Sequence, residues 1–234
     1  MINPIVSNTA ILLFTRTAKH EAEAKTFINK RNNVINRTIA AHLIAKTRKI
    51  AKNTTLPFYI ISDDKQSGFS FGERLANAAE TVFNIGFNKI IILGNDCPRL
   101  TSIAINKAAA LLQEADFVTG ATEGGGLYLF GLTRAHFAKE KFVNIPWQTN
   151  LLADCFNEFV TSVYGTIRAI PIINDINNEF DLLSQIKYLA SFDRLKIFIH
   201  SVITGPLTHS GLFILCHNFM YNNSTILRGP PKLQ

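Results

Sequence analysis

The feature that most constrains this chain is a series of short, unbroken apolar runs, each closed by a polar stop and followed by a longer amphipathic stretch. Residues 10–14 read AILLF, residues 57–61 read PFYII before Ser62-Asp63-Asp64, and residues 90–93 read IIIL before Gly94-Asn95-Asp96-Cys97-Pro98. Runs without polar alternation suit strands buried on both faces, as parallel sheets require. Between the first two lies a charged stretch, residues 20–52. Its apolar Phe27, Val34, Ile35, Ile39, Leu43 and Ile44 have helical spacing, with a break near Asn32-Asn33. Residues 73–85 place Leu75, Ala78, Ala79, Val82 and Phe83 on one helical face, and Gly86 is the expected stop. Thr101 or Ser102 can cap a further helix to residue 114. Strands are expected at 116–119, 127–131 and 167–173. This alternation predicts an α/β fold, with a mainly parallel (mixed) sheet and helices on both of its faces.

The chain has 234 residues, enough for one large domain or one domain plus an appendage. At 47% hydrophobic and 18% charged it has a globular composition. Cys97, Cys155 and Cys216 are widely spaced and odd in number, which points to a reducing compartment without a disulfide framework. The N-terminus lacks the basic segment of a signal peptide, so a cytoplasmic location is expected. The net charge of +7 is unevenly spread: residues 61–184 hold nine Lys/Arg against fourteen Asp/Glu, and both flanks are basic. Basic flanks can favour phosphates, anionic lipid or nucleic acid, or simply solubility. No RNP, zinc-finger or helix-turn-helix signature supports nucleic acid as a partner.

The pattern changes near Leu182. No Asp, Glu, Lys or Arg occurs from Ile197 to Leu227, yet only 14 of the 25 residues 197–221 are apolar, which is poor for a spanning helix. Two helices turning at Gly205-Pro206 and packed on the sheet domain are expected. A peripheral contact with the inner face of the membrane, or self-association, is the alternative. The division expected is therefore 1–184 for the sheet domain and 185–234 for a helical C-terminal extension.

Open parallel sheets bind ligands beyond the carboxyl ends of their strands, and Asp96 lies at such an end. A hard carboxylate there can hold Mg²⁺ or Mn²⁺ on phosphate oxygens; a turn or helix-capping aspartate is the other reading. Gly124-Gly125-Gly126 lets the backbone approach a ligand, and equally suits a hairpin turn. Asp175 follows the strand at 167–173 and can approach the edge where Asp96 lies, as a metal ligand or a structural residue. Asp181 reads as a helix-capping residue.

Five motifs in order carry a resemblance: FGERLANAAETVFNIGFNKIIIL, GNDCPRLT, TGATEGGGLYLFGL, NIPWQTN and INDINNEFDLL. Over roughly residues 9–185 the chain resembles a bacterial glycosyltransferase-A-like domain family of unknown function within the nucleotide-diphospho-sugar transferase superfamily. The last motif also resembles the ending of molybdenum-cofactor guanylyltransferases. The resemblance implies a Rossmann-like glycosyltransferase-A-type fold, with nucleotide bound at the N-terminal strands and the acceptor beyond the central aspartate. It implies that Asp96 binds the divalent metal on the diphosphate, that Asp175 is a second ligand, and that Gly125 and Gly126 line the sugar or acceptor side. Asn95 and Trp147, inside two of the motifs, join Arg16 as expected substrate contacts. The chain departs from the family in two places. The family's first loop is rich in proline and glycine and runs into Lys-Thr-Arg; here Glu21 and Glu23 appear, and Arg16 and Lys25 are the cations left for phosphate, with solvated surface as the other reading of Lys25. At Gly124 the family has aspartate.

Three functions follow. The first is a metal-dependent transferase acting on a nucleotide-activated sugar, with catalysis centred on Asp96 and Glu123 as the nearest general base in sequence. The second is a nucleotidyltransferase using the same metal site, which the eroded first loop disfavours. The third is a non-catalytic nucleotide-binding or scaffold protein. Ser-His-Asp hydrolysis lacks its G-x-S-x-G elbow.

Overall fold

The structure is a computed structural model that describes residues 8–28 and 33–204. The apolar runs form strands where expected: β1 (Thr9–Thr15), β2 (Phe58–Ser62) and β3 (Lys89–Leu93), followed by β4 (Phe117–Ala121), β5 (Leu127–Thr133) and β6 (Ile167–Ile170). They make one sheet in the order β2-β1-β3-β5-β4-β6. β1 pairs in parallel with β2 and β3, and β4 with β6, while β5 runs antiparallel to both β3 and β4. The mixed, mainly parallel sheet flanked by helices is therefore present. β6 is shorter than its apolar run because Pro171 follows directly, and proline has no N–H for the ladder.

Side chains of β1 and β3 alternate between two cores, as the two-residue period of a strand requires. Leu12, Ile90 and Ile92 pack with helix α3 (Phe71–Asn84) and with an aromatic group that includes Phe117, Phe130, Phe142 and Phe156. Ile11, Leu13, Ile91 and Leu93 pack on the other face with α4 (Ser102–Leu111). Helix α3 opens with a capping box between Ser70 and Glu73, and Thr101 caps α4 through its side chain.

The charged stretch forms a short helix, α1 (Ala18–Ala24), and a long one, α2 (Asn33–Lys52); Asn32, where the break was expected, lies outside the described residues. Two helices absent from the expectation, α5 (Lys139–Val143) and α6 (Leu152–Ser162), supply much of the aromatic core. Helix α7 (Glu179–Ile186) is capped by Asn178; Asp181, in its first turn, accepts from the Asn177 N–H at 3.0 Å, in keeping with the capping reading. Helix α8 (Arg194–Thr204) packs Leu195, Phe198 and Ile199 against Ile35, Ile39 and Leu43 of α2 in a third core. An ion pair between Lys46 and Asp193 ties the two together. The expected turn at Gly205-Pro206, and all that follows it, lies outside the described residues. Among the described residues no helix is long and apolar enough to cross a membrane.

Candidate functional site

The carboxyl ends of β1 and β3 open into a cavity of about 740 Å³, within the range usual for small-molecule and cofactor sites. Its floor is the segment Leu93-Gly94-Asn95-Asp96, and its walls come from the loops after β1, β2 and β4 and from the segment before α6. Asp96 is fixed from two directions. Its carbonyl accepts from the Ile176 N–H at 2.9 Å, which joins the end of β3 to the closing motif, and the Gly94 N–H donates to the Tyr128 carbonyl at 3.1 Å. Asp175 lines the same cavity. Burial, and then the Asp96 charge, raise its carboxyl above the ordinary aspartate range.

The loop after β1 departs from its reading as an acidic obstacle to phosphate. Thr17 caps α1, and the N–H of the last residue, Lys25, returns to the Glu21 carbonyl. This turn aims both side chains inward. Glu21 is only 3% exposed, and its carboxylate lies 3.5 Å from Arg16 and 3.4 Å from Lys25, so it neutralises cations rather than meeting a ligand alone. The solvated-surface reading of Lys25 does not hold either: its side chain is 14% exposed, and its ammonium lies 2.7 Å from Asp96 Oδ2. It also donates to the Ile176 carbonyl at 3.2 Å. Burial pulls the Lys25 pKa down, but the charges of Asp96 and Glu21 and the bond to Asp96 outweigh it and leave it raised.

Arg16, Asn95, Gly126 and Trp147 also line the cavity. Asn95 is 7% exposed, and its Nδ2 is buried without a hydrogen-bond partner. Buried donors are normally satisfied, and this amide is an exception. Trp147 donates from Nε1 to the Phe142 carbonyl at 2.9 Å and stacks among Phe71, Phe130 and Phe142, leaving an edge toward the cavity. Gly125 departs from the others. Gly124 and Gly126 line the cavity, whereas Gly125 turns toward Asn150 with φ +79°, and a Cβ there would stand 1.9 Å from the Asn150 carbonyl oxygen. Its own carbonyl accepts from Ala153 N–H at 2.9 Å, fastening the hairpin turn to the start of α6. Glu123 is not among the lining residues; it accepts from Asn174 Nδ2 at 2.8 Å. On the opposite wall Asp63 accepts from the Thr17 N–H at 2.8 Å and pairs with His20 Nδ1 at 2.6 Å. Buried Cys97 places Sγ 3.9 Å from Asp96 Oδ1, and burial first, then Asp96, push its thiol well up.

Among the described residues no three His, Cys, Asp or Glu side chains converge on one point. An ion of the Mg²⁺ type commonly takes one or two carboxylates and completes its shell with waters and phosphate oxygens; Asp96 and Asp175 both line the cavity. The Lys25 ammonium already rests on one oxygen of that pair.

The six-stranded mixed sheet flanked by helices is a glycosyltransferase-A-like fold. The chain belongs to the family described as "Uncharacterized protein conserved in bacteria (DUF2064)", whose profile matches residues 33–149, half of its length. A solved structure from Desulfovibrio desulfuricans G20, of a proposed nucleotide-diphospho-sugar transferase, is 17% identical, with a TM-score of 0.74 over 91% of this chain and 98% of that one. That likeness establishes the shared fold. A 4-diphosphocytidyl-2C-methyl-D-erythritol synthase from Anaerococcus prevotii DSM 20548 is 9% identical over 78% of this chain and 99% of that one, with a TM-score of 0.47, too slight to bear on the site. No curated protein matches the sequence.

Proposed function

We propose that the cleft binds a nucleoside diphosphate sugar and that the protein is a transferase of its glycosyl group. One observation carries the reading: the carboxylates Asp96 and Asp175 and the cations Arg16 and Lys25 line one cavity at the carboxyl ends of the central strands, together with Glu21, Asp63 and Arg74. Arg16 is placed to pair with a phosphate. The Phe71 and Trp147 side chains give an apolar wall for a base or sugar face. A divalent cation held by Asp96 and Asp175 would neutralise charge on the leaving diphosphate. Glu123 is engaged with Asn174 outside the cavity, so the proton of an acceptor is not assigned to it.

Nucleotidyl transfer is the second reading, and one observation favours it. Arg16 and Lys25, in the segment after β1, line the cavity, and Glu21 is paired with both of them. Calorimetric titration with matched panels of nucleotide sugars and nucleoside triphosphates, each with Mn²⁺, separates the two. The first reading expects at least one nucleotide sugar to bind more tightly than every triphosphate, with the Mn²⁺ enhancement lost in Asp96→Asn. A triphosphate that outranks all nucleotide sugars moves nucleotidyl transfer to first place. Equal metal-linked affinity in wild type and Asp96→Asn removes the metal role of Asp96.

A further inference from the structure

We infer that Lys25 and a divalent cation are alternative occupants of the Asp96 carboxylate, so that the Lys25 side chain sets how readily the cleft takes a metal. The inference rests on the proposed function only for the position of the metal. An ammonium has three donors and no more. Lys25 gives two of them to Asp96 Oδ2 at 2.7 Å and the Ile176 carbonyl at 3.2 Å, and its ammonium lies 3.4 Å from Glu21 Oε1. While this arrangement lasts the ammonium is held on Asp96 and not on a phosphate. A metal ion would sit about 2.0–2.6 Å from the same carboxylate oxygen. Two cations would then share one oxygen inside a cavity where both flanking side chains are largely shielded from water, and their repulsion is weakly screened there.

The other carboxylate oxygen gives no easy escape. Asp96 Oδ1 faces the Cys97 thiol at 3.9 Å. Lys25, by contrast, has somewhere to go. It lies one helical turn from Glu21, which would hold it by the i, i+4 pairing after release from Asp96. From there its freed donors face the cavity where a diphosphate would lie. The exchange thus puts the divalent cation on Asp96 and moves the ammonium from Asp96 toward the ligand, and Glu21 is the residue that makes it possible.

The test is Mn²⁺ affinity, without any nucleotide, read from the electron paramagnetic resonance of the free ion. Lys25→Met removes the charge and keeps the length; Lys25→Arg keeps the charge. Removing the competing cation is expected to tighten Mn²⁺ by at least about tenfold in Lys25→Met, to leave Lys25→Arg near wild type, and to lose the gain in Asp96→Asn/Lys25→Met. A folded Lys25→Met that binds Mn²⁺ no more tightly than wild type overturns the inference. If that variant does not fold, the wild-type protein decides. The lysine ammonium NMR signal of Lys25 is expected to shift and lose protection as Mg²⁺ is added, and a signal unchanged at the highest Mg²⁺ concentration overturns the inference. A parallel nucleotide-sugar titration separates the claims. Tighter Mn²⁺ binding with no nucleotide-sugar binding leaves Lys25 as inferred and removes the proposed function; nucleotide-sugar binding with equal Mn²⁺ affinities does the reverse.

Discussion

Replacing Gly125 with alanine should weaken the fold far more than the same change one residue earlier. At Gly125 the backbone has φ +79°, a left-handed conformation that costs an L-residue about 1–2 kcal/mol. The new Cβ would stand 1.9 Å from the Asn150 carbonyl oxygen, where contacts below 3.0 Å are not tolerated, so one of the two segments must move by roughly 1 Å. That movement strains the 2.9 Å bond from the Ala153 N–H to the Gly125 carbonyl, with about 1 kcal/mol at stake. Together these give a loss of about 3 kcal/mol, or a fall in Tm of about 6–12 °C for a domain of this size. Gly124→Ala meets nothing nearer than Thr122 Oγ1 at 3.9 Å and keeps an ordinary φ, so its cost should stay within about 0.5 kcal/mol. Urea unfolding of the three proteins measures the difference as a shift in midpoint at constant slope. Equal midpoints for the two variants, or a larger loss at Gly124, would refute the account of the turn.

Phe156 is fully buried among Phe117, Phe130 and Phe159, so Phe156→Ala should cost about 3–5 kcal/mol by the same unfolding assay. Burial lowers the His42 pKa from 6.5 to about 4, against a smaller opposing effect of Asp193. The unfolded chain therefore binds the proton first as pH falls, and stability present above pH 6.5 should decline toward pH 4 by up to about 3 kcal/mol. Unfolding midpoints across that window should show a flatter acid limb in His42→Leu; an unchanged limb assigns the pH dependence elsewhere.

How much of this was legible from the residues depended on range. The strands β1 and β3 and the position of Asp96 followed from apolar runs closed by acids, because burial on both faces leaves a local mark in composition. Asp175 was legible for the same reason. Lys25 was not, since its partners Asp96 and Ile176 are 71 and 151 residues away in sequence. A lysine in a charged segment reads as surface until the fold brings a carboxylate to it. Glu21 was misjudged with it, although Lys25 stands at the i, i+4 spacing of a helical ion pair. Helix α6 did leave a signal, in the helical spacing of Leu152, Phe156, Phe159 and Val160. The inward turn of Gly125 toward Asn150 left none, since a run of three glycines does not say which of them must be glycine.

The central claim is that a nucleotide diphosphate lies over Asp96. A crystal structure of the protein with a non-transferable nucleotide-sugar analogue and Mn²⁺ tests it most directly. The account predicts electron density for the diphosphate at the carboxyl ends of β1 and β3, with Arg16 in hydrogen-bond reach of a phosphate oxygen and the metal on Asp96 and Asp175. A diphosphate bound elsewhere, or one in that cavity whose metal touches neither carboxylate, would contradict it.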